Sequence, residues 1–265
     1  YLLSFIDRLV TYRGVADQEE TRLDLSSYLV LRNFSGEDFE NAHILLDYGS
    51  AFEQGIRHEA TKQLLFLDPG KVPMTKVWTF DARTLPWDPE KVDGNVGIPV
   101  SYRIENAAET GLGEFALHGG KMRVFQQDGA GSTIFLGEDR TGLVPVGDDM
   151  EITIGDSRDI VVTQRKMHER RINIRRNDSG TVIMYDLETE IRAEIENFKD
   201  QPAVLTMIQQ IPGEWEMQRC NHEYELEDYQ TLEFEIDLRP NGKEELVMRY
   251  VQRHIRSGDE RRILR

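Results

Sequence analysis

Between Tyr185 and Asn197 the chain alternates with a period of two. The even positions Asp186, Glu188, Glu190, Arg192, Glu194 and Glu196 are charged, and the odd positions include Leu187, Ile191, Ala193 and Ile195. An extended strand sends successive side chains to opposite faces, so this stretch reads as one wet and one dry face of an antiparallel sheet. Leu232, Phe234, Ile236 and Leu238 alternate the same way with Glu233, Glu235 and Asp237. A turn at Arg239-Pro240-Asn241-Gly242-Lys243 then leads to Leu246, Met248 and Tyr250. Fully burying each apolar side chain contributes about 1.5–3 kcal/mol. A one-residue slip would expose a whole row, which fixes the register.

Earlier segments carry the same period more weakly. Leu23 and Leu25, then Leu29 and Leu31, precede a turn at 33–39 and the apolar positions Ala42, Ile44, Leu46 and Tyr48, which predicts a strand pair. The signal fades from Gly49 to Lys71, read as a long loop carrying His58, and returns as a strand at 76–82. Leu85-Pro86-Trp87-Asp88-Pro89 reads as a loop stiffened by its prolines. Met122 and Val124, then Ile134 and Leu136, flank Asp128-Gly129-Ala130-Gly131-Ser132, a β-hairpin signature. Pro145 cannot donate to a ladder, which makes 143–148 an edge or a connection before Ile152 and Ile154 restart the alternation. Near the N-terminus Phe5, Ile6, Leu9 and Val10 fit a short helix, with an edge strand as the alternative.

Many short strands separated by turns predict an all-β fold: two antiparallel β-sandwich domains of immunoglobulin or fibronectin type, packed together. The expected division is 1–21 as an N-terminal helix or edge segment, 22–159 and 160–254 as the two sandwiches, and 255–265 as a frayed tail.

With 265 residues, 39% hydrophobic and 30% charged, the chain has the composition of a globular protein. Its formal charge of −16 argues against nucleic acid as a partner and against docking on anionic lipid. Cys220 is the only cysteine, so no intrachain disulfide forms. No apolar run is long enough for a membrane span. A chain that starts at Tyr1, without Met or a signal-peptide pattern, is expected to be a piece of a longer protein.

No catalytic set stands out. His118-Gly119-Gly120 looks like an esterase oxyanion loop, but the Gly-x-Ser-x-Gly elbow it needs is missing. His58-Glu59 and His168-Glu169 begin a zinc motif whose second histidine is replaced by Lys62 and Ile172. The carboxylates Glu138, Asp139, Asp148, Asp149, Asp156 and Asp159 sit at turns, where convergence would make calcium ligands, or they simply solvate those turns. Arg165, Lys166, Arg170, Arg171, Arg175 and Arg176, together with His168, form the one basic block. It suits either an anion or partner surface or cross-strand pairing with the acidic row 186–196. Trp78, Trp87 and Trp215 are candidates for a sugar-stacking platform or for the core. No cofactor is expected.

The stretch 99–159 holds a fixed order of turn and strand signatures: Leu112-Gly113, Gly120, Met122 to Phe125, Phe135 to Asp139, Pro145 to Asp148 and Gly155 to Ile160. Asn33-Phe34-Ser35-Gly36 and Pro212-Gly213-Glu214-Trp215 add two more turns. Together they resemble the C-terminal domain of the mucoidy-inhibitor (MuiA-like) bacterial family, a domain of unknown function. The resemblance covers most of 22–254, and it departs at His118, where the family has proline, and over 1–20, where the family's tryptophan-containing segment is not found. It implies a cell-envelope location, periplasmic or secreted, and a link to mucoidy, the control of capsule or exopolysaccharide. The resulting expectation is a non-enzymatic protein-interaction or scaffold module. The alternatives are a carbohydrate- or calcium-binding module and a hydrolase using Glu138 or Asp139.

Overall fold

The computed structural model describes residues 5–45, 51–84 and 97–257. They form β1 (Ile6–Ala16), β2 (Arg22–Asn33), β3 (Phe39–Leu45), β4 (Ala51–Ile56), β5 (Thr61–Pro73) and β6 (Thr75–Asp81). These are followed by β7 (Ile98–Glu105), β8 (Gly120–Gln127), β9 (Thr133–Thr141), β10 (Asp149–Ser157), β11 (Ile160–Arg176) and β12 (Val182–Asn197). The last are β13 (Ala203–Gln210), β14 (Glu214–Cys220), β15 (Glu225–Leu226), β16 (Thr231–Leu238) and β17 (Lys243–Arg256). Short 3-10 turns occur at Ala82–Thr84 and Ala108–Thr110, and the described residues include no α-helix. The all-β expectation therefore holds.

Contacts divide the chain into two compact units. Unit 1 comprises Tyr1–Lys76 and Ser101–Gly155, and unit 2 comprises Val77–Val100 and Asp156–Arg265. The sequence pattern placed a single boundary at 159/160. Instead the chain crosses between units inside β6, β7 and β10, because 77–81 ladders onto β13 in unit 2. β10 ends at Ser157, so Ile160-Val161-Val162 open a new strand rather than continue one.

In unit 1 a five-stranded sheet runs β5-β2-β1-β8-β9, with β3 paired to β4 and β7 beside β10. The expected N-terminal helix is a strand, and it lies inside its sheet rather than at the edge. Its β-branched Ile6, Val10, Thr11 and Val15 favour extended backbone, and ladders on both sides outweigh any helical spacing. β1 runs parallel to β8, and β6 parallel to β13, which corrects the expectation of wholly antiparallel sheets. The expected loop at 49–71 contains β4 and most of β5, and β2 pairs with β1 and β5 rather than with the next strand. One face of β2, Leu23, Leu25, Leu29 and Leu31, is buried throughout. The first two enter a core with Tyr102, Ile104, Met122, Val124, Met150 and Ile152. The last two pack with Ile56.

In unit 2 one sheet runs β11-β12-β17-β14, and β6, β13, β16 and β15 are neighbours in that order. β17 extends to Arg256, past the expected end at 254, while 258–265 lie outside the described residues. The Leu85 to Pro89 loop with Trp87, and the positions Leu46 and Tyr48, also lie outside them.

The two units repeat one plan. In unit 1 the series β1, β2, β3, β4, β5 pairs as β1–β2, β3–β4 and β2–β5. In unit 2 the series β11, β12, β13, β16, β17 pairs as β11–β12, β13–β16 and β12–β17. The match extends to side chains. Asn33 ends β2 and Asn197 ends β12, both buried. Each accepts at Oδ1 from the N–H two residues on, that of Ser35 at 3.1 Å and of Lys199 at 3.0 Å. Each donates from Nδ2 to the carbonyl four residues on, Glu37 at 2.8 Å and Gln201 at 3.0 Å. A second Nδ2 bond reaches Ile56 O at 3.2 Å in unit 1 and Arg239 O at 3.0 Å in unit 2. The turns into β5 and β17 match too: Ala60 N–H donates to Arg57 O and Gly242 N–H to Arg239 O, both at 3.1 Å. Glu59 (φ 59°) and Asn241 (φ 49°) adopt the left-handed conformation at the same place in each turn.

Candidate functional site

The stretch whose turns suggested a family is organised by a third buried asparagine. Asn106 donates from Nδ2 to the carbonyls of Phe115, Val144 and Pro145 at 3.0–3.2 Å and accepts from Gly113 N–H at 2.9 Å. Its backbone N–H and C=O bond Asp148 O and Gly147 N–H. Leu112-Gly113 and Pro145–Asp148 thus converge on one amide, where their task is to satisfy buried polar groups. Gly113 has φ 86°, and a Cβ there would lie 2.5 Å from Ala108 N, so the position requires glycine.

The catalytic-looking histidines take part in structural contacts, His118 through its backbone. The carbonyl of His118 accepts from Tyr12 Oη at 2.6 Å, and His58 Nδ1 accepts from Gly36 N–H at 3.0 Å. His168 Nε2 lies 3.6 Å from Glu188. Burial pushes the Cys220 thiol up, away from a reactive thiolate.

The six turn carboxylates do not assemble. Among the described residues no group of three or more His, Cys, Asp or Glu side chains is placed to hold a metal ion. Glu138 binds Lys121 at 2.6 Å and Arg123 at 2.8 Å, and hydrogen bonds from Arg123 and Lys121 hold its carboxyl below the usual range. Asp139 accepts from Thr153 N–H at 2.8 Å. Asp148 and Asp149 border a cavity of about 370 Å³, with Arg103 Nε 3.8 Å from Asp149. Asp159 accepts from Ser157 Oγ at 3.2 Å, and Asp156 stands beside Gly97.

The basic block is β11, an edge strand of 17 residues. Arg170 lies 3.0 Å from Glu188, Lys166 pairs with Glu169 at 2.5 Å, Arg171 covers the Tyr185 ring at 4.5 Å, and Arg176 donates to Gly180 O. Arg165 and Arg175 stand on the same strand opposite Arg192 and Met184. Charge along an edge discourages a second chain from adding to the ladder. Asp186 and Glu188, expected on a wet face, are buried at 7% and 8% exposure because neighbouring strands bring them partners. Arg249 lies 2.7 Å from Glu188, and the hydrogen bond from Arg249 is the main cause holding that carboxyl below its usual range. Asp186 accepts from Asn173 Nδ2 and His254 N–H at the bulges of β11 and β17.

Trp78 is buried, with Lys199 Nζ 5.5 Å above its ring, and Trp215 donates its indole N–H to Tyr229 O at 2.9 Å. Neither presents a stacking platform.

The site that sequence reading missed is the open face of the five-stranded sheet in unit 1. Position two residues apart on β1, β2 and β8 face away from the core, and there they frame a groove of about 570 Å³. Its floor includes Leu9, Thr11, Tyr28 and Val30. Its cations are Arg13, Arg32, Lys121 and Arg123. Cross-strand register places Arg13 beside Arg123, Thr11 beside Lys121 and Tyr28, and Asp7 beside Arg32. Arg13 lies 5.2 Å over the Phe125 ring, which meets Phe135 edge-on at 5.5 Å. Among the described residues Arg13 and Arg32 make no ion pair. Lys121 and Arg123 share Glu138, and on the corresponding face of unit 2 ion pairs join Glu188 to Arg170 and Arg249, Glu196 to Lys243 at 2.7 Å, and Arg192 to Glu245 at 3.3 Å.

No family model and no curated protein matches this chain.

Proposed function

We propose that this chain is a non-enzymatic recognition module made of two immunoglobulin- or fibronectin-like β-sandwiches. It binds an anionic partner on the open sheet face of unit 1. The observation carrying this reading is that Arg13 and Arg32, both exposed, line one groove and make no ion pair among the described residues, in a chain of net charge −16. Long-range repulsion by the net charge is screened beyond about 8 Å at physiological salt, so contacts at the groove decide binding. The order of turn motifs in 99–159 supports kinship with the MuiA-like family, and through it an envelope setting and a scaffold role. Among the described residues no helix is long and apolar enough to cross a membrane.

The test is retention on an immobilised polyanion. The native chain is expected to be held and eluted by salt, and the double variant Arg13→Ala/Arg32→Ala to flow through. Equal retention of both proteins contradicts the reading. So does turnover of glycosides, esters or peptides that one carboxylate substitution abolishes.

A further inference from the structure

The groove on unit 1 also constrains the kind of anion. We infer that it takes an acidic oligosaccharide, one whose sugar rings lie on the sheet face and whose carboxylate or sulfate groups meet the cations at its ends. This rests on the binding face proposed above and specifies its ligand.

Three observations carry it. First, β1, β2 and β8 are each hydrogen-bonded to neighbours on both sides, so the face offers no free backbone groups. An extended peptide is read mainly by adding to a strand edge, a mode this face cannot provide. Recognition must come from side chains alone. Second, the floor mixes apolar surface with short-range polar groups. Leu9, Val30 and the half-buried Tyr28 ring offer flat area, while Thr11, Gln63 and the Tyr28 hydroxyl offer donors and acceptors. A hydroxyl-studded ring with an apolar face uses both, whereas the apolar side of a helix leaves the polar groups unpaired. Third, the two cations without an ion pair among the described residues lie at opposite ends. Arg32 sits across from position 7 of β1, and Arg13 is itself six residues further along that strand. Six residues of strand separate those levels by roughly 20 Å. Lys121 and Arg123 already share Glu138, so these two cations span that length, far sparser than the one phosphate per 3.4 Å of a nucleic-acid strand, and they suit a chain carrying less than one charge per ring.

The reducing-end chemistry of the sugar plays no part, because the groove is open along the face and none of its lining groups is placed as an acid–base pair. Binding is non-covalent.

The experiment is calorimetric titration of the full chain with four probes: oligogalacturonate, a neutral malto-oligosaccharide, poly-L-glutamate and a deoxythymidine oligonucleotide. Oligogalacturonate is expected to bind, with the other three at least tenfold weaker. Arg13→Ala/Arg32→Ala and Tyr28→Ala are each expected to lose at least tenfold, about 1.4 kcal/mol, while Arg175→Ala on unit 2 retains full affinity. Circular dichroism checks that each variant is folded, and should Tyr28→Ala fail to fold, the surface arginine pair carries the test. Binding of polyglutamate or the oligonucleotide as tight as that of oligogalacturonate refutes the saccharide assignment and leaves the anionic face standing. Binding of the neutral sugar alone refutes the role of the cations. Silence from every polyanion, or undiminished binding by the arginine variant, removes the binding face itself.

Discussion

Changing Asn33 to aspartate alters one atom of a fully buried side chain that makes four hydrogen bonds. The Oδ1 atom keeps its two donors from Ser35. Nδ2 becomes an oxygen facing the carbonyls of Glu37 and Ile56, which stand 2.8 and 3.2 Å from the native nitrogen. Two lost hydrogen bonds cost about 1 kcal/mol each, and burying charge against two carbonyl dipoles adds more, for a total of about 3–5 kcal/mol at neutral pH. Burial and the facing carbonyls raise the folded-state pKa of the introduced carboxyl above its unfolded value of about 3.9. The folded form then binds the proton more tightly, so the deficit is greatest at neutral pH and shrinks as pH falls through the folded pKa. Asn33→Ala carries no charge, and its deficit of about 2–4 kcal/mol stays level with pH. Urea unfolding followed by circular dichroism, at about pH 7 and pH 4.5 and referenced to native protein at each pH, measures both. An aspartate variant as stable as native at pH 7, or one whose deficit grows on acidification, refutes the reasoning. Asn197→Asp is expected to behave the same way, since its Nδ2 likewise donates to two carbonyls, those of Gln201 and Arg239.

Gly120→Ala places a Cβ 2.4 Å from Val10 O and is expected to cost about 1–3 kcal/mol, whereas Gly142→Ala meets nothing within 4 Å and stays within about 0.5 kcal/mol; urea midpoints decide. Glu188 is held below its ordinary value of 4.5 chiefly by Arg249, so its stabilisation is present above pH 4.5 and lost as pH falls further. Melting temperature against pH should therefore fall less on the acid side for Glu188→Gln than for native protein. Arg165→Val/Arg175→Val uncharges two positions of the β11 edge and is expected to promote self-association, seen by light scattering, with little change in melting temperature.

Periodicity was legible where a strand keeps strict alternation, as in β2, β16 and much of β12. It failed where ladders are irregular. β5 meets β2 through register shifts around Ser27, and the bulge blurred the two-residue pattern into an apparent loop. In β1 the spacing of Phe5, Ile6, Leu9 and Val10 fits a helix, and only its partners β2 and β8 settle the extended form. Asp186 and Glu188 looked solvent-facing because their covering arginines come from other strands. The hairpin at 128–132 was readable because its chemistry is local: Asp128 Oδ1 accepts from Ala130 and Ser132 N–H, and Gly129 and Gly131 have positive φ. The groove was hidden because its cations are divided among three strands. The signal was present in the interleaved Tyr28, Val30 and Arg32 of β2 and in Lys121, Arg123 and Phe125 of β8, which share the face opposite the core.

The most direct measurement is nuclear magnetic resonance of isotopically labelled chain titrated with oligogalacturonate. Shifts confined to β1, β2 and β8 around Arg13, Tyr28, Arg32 and Arg123 are what this account requires. Shifts on β11, β12 and β17 instead, or an unchanged spectrum at saturating ligand, would contradict it.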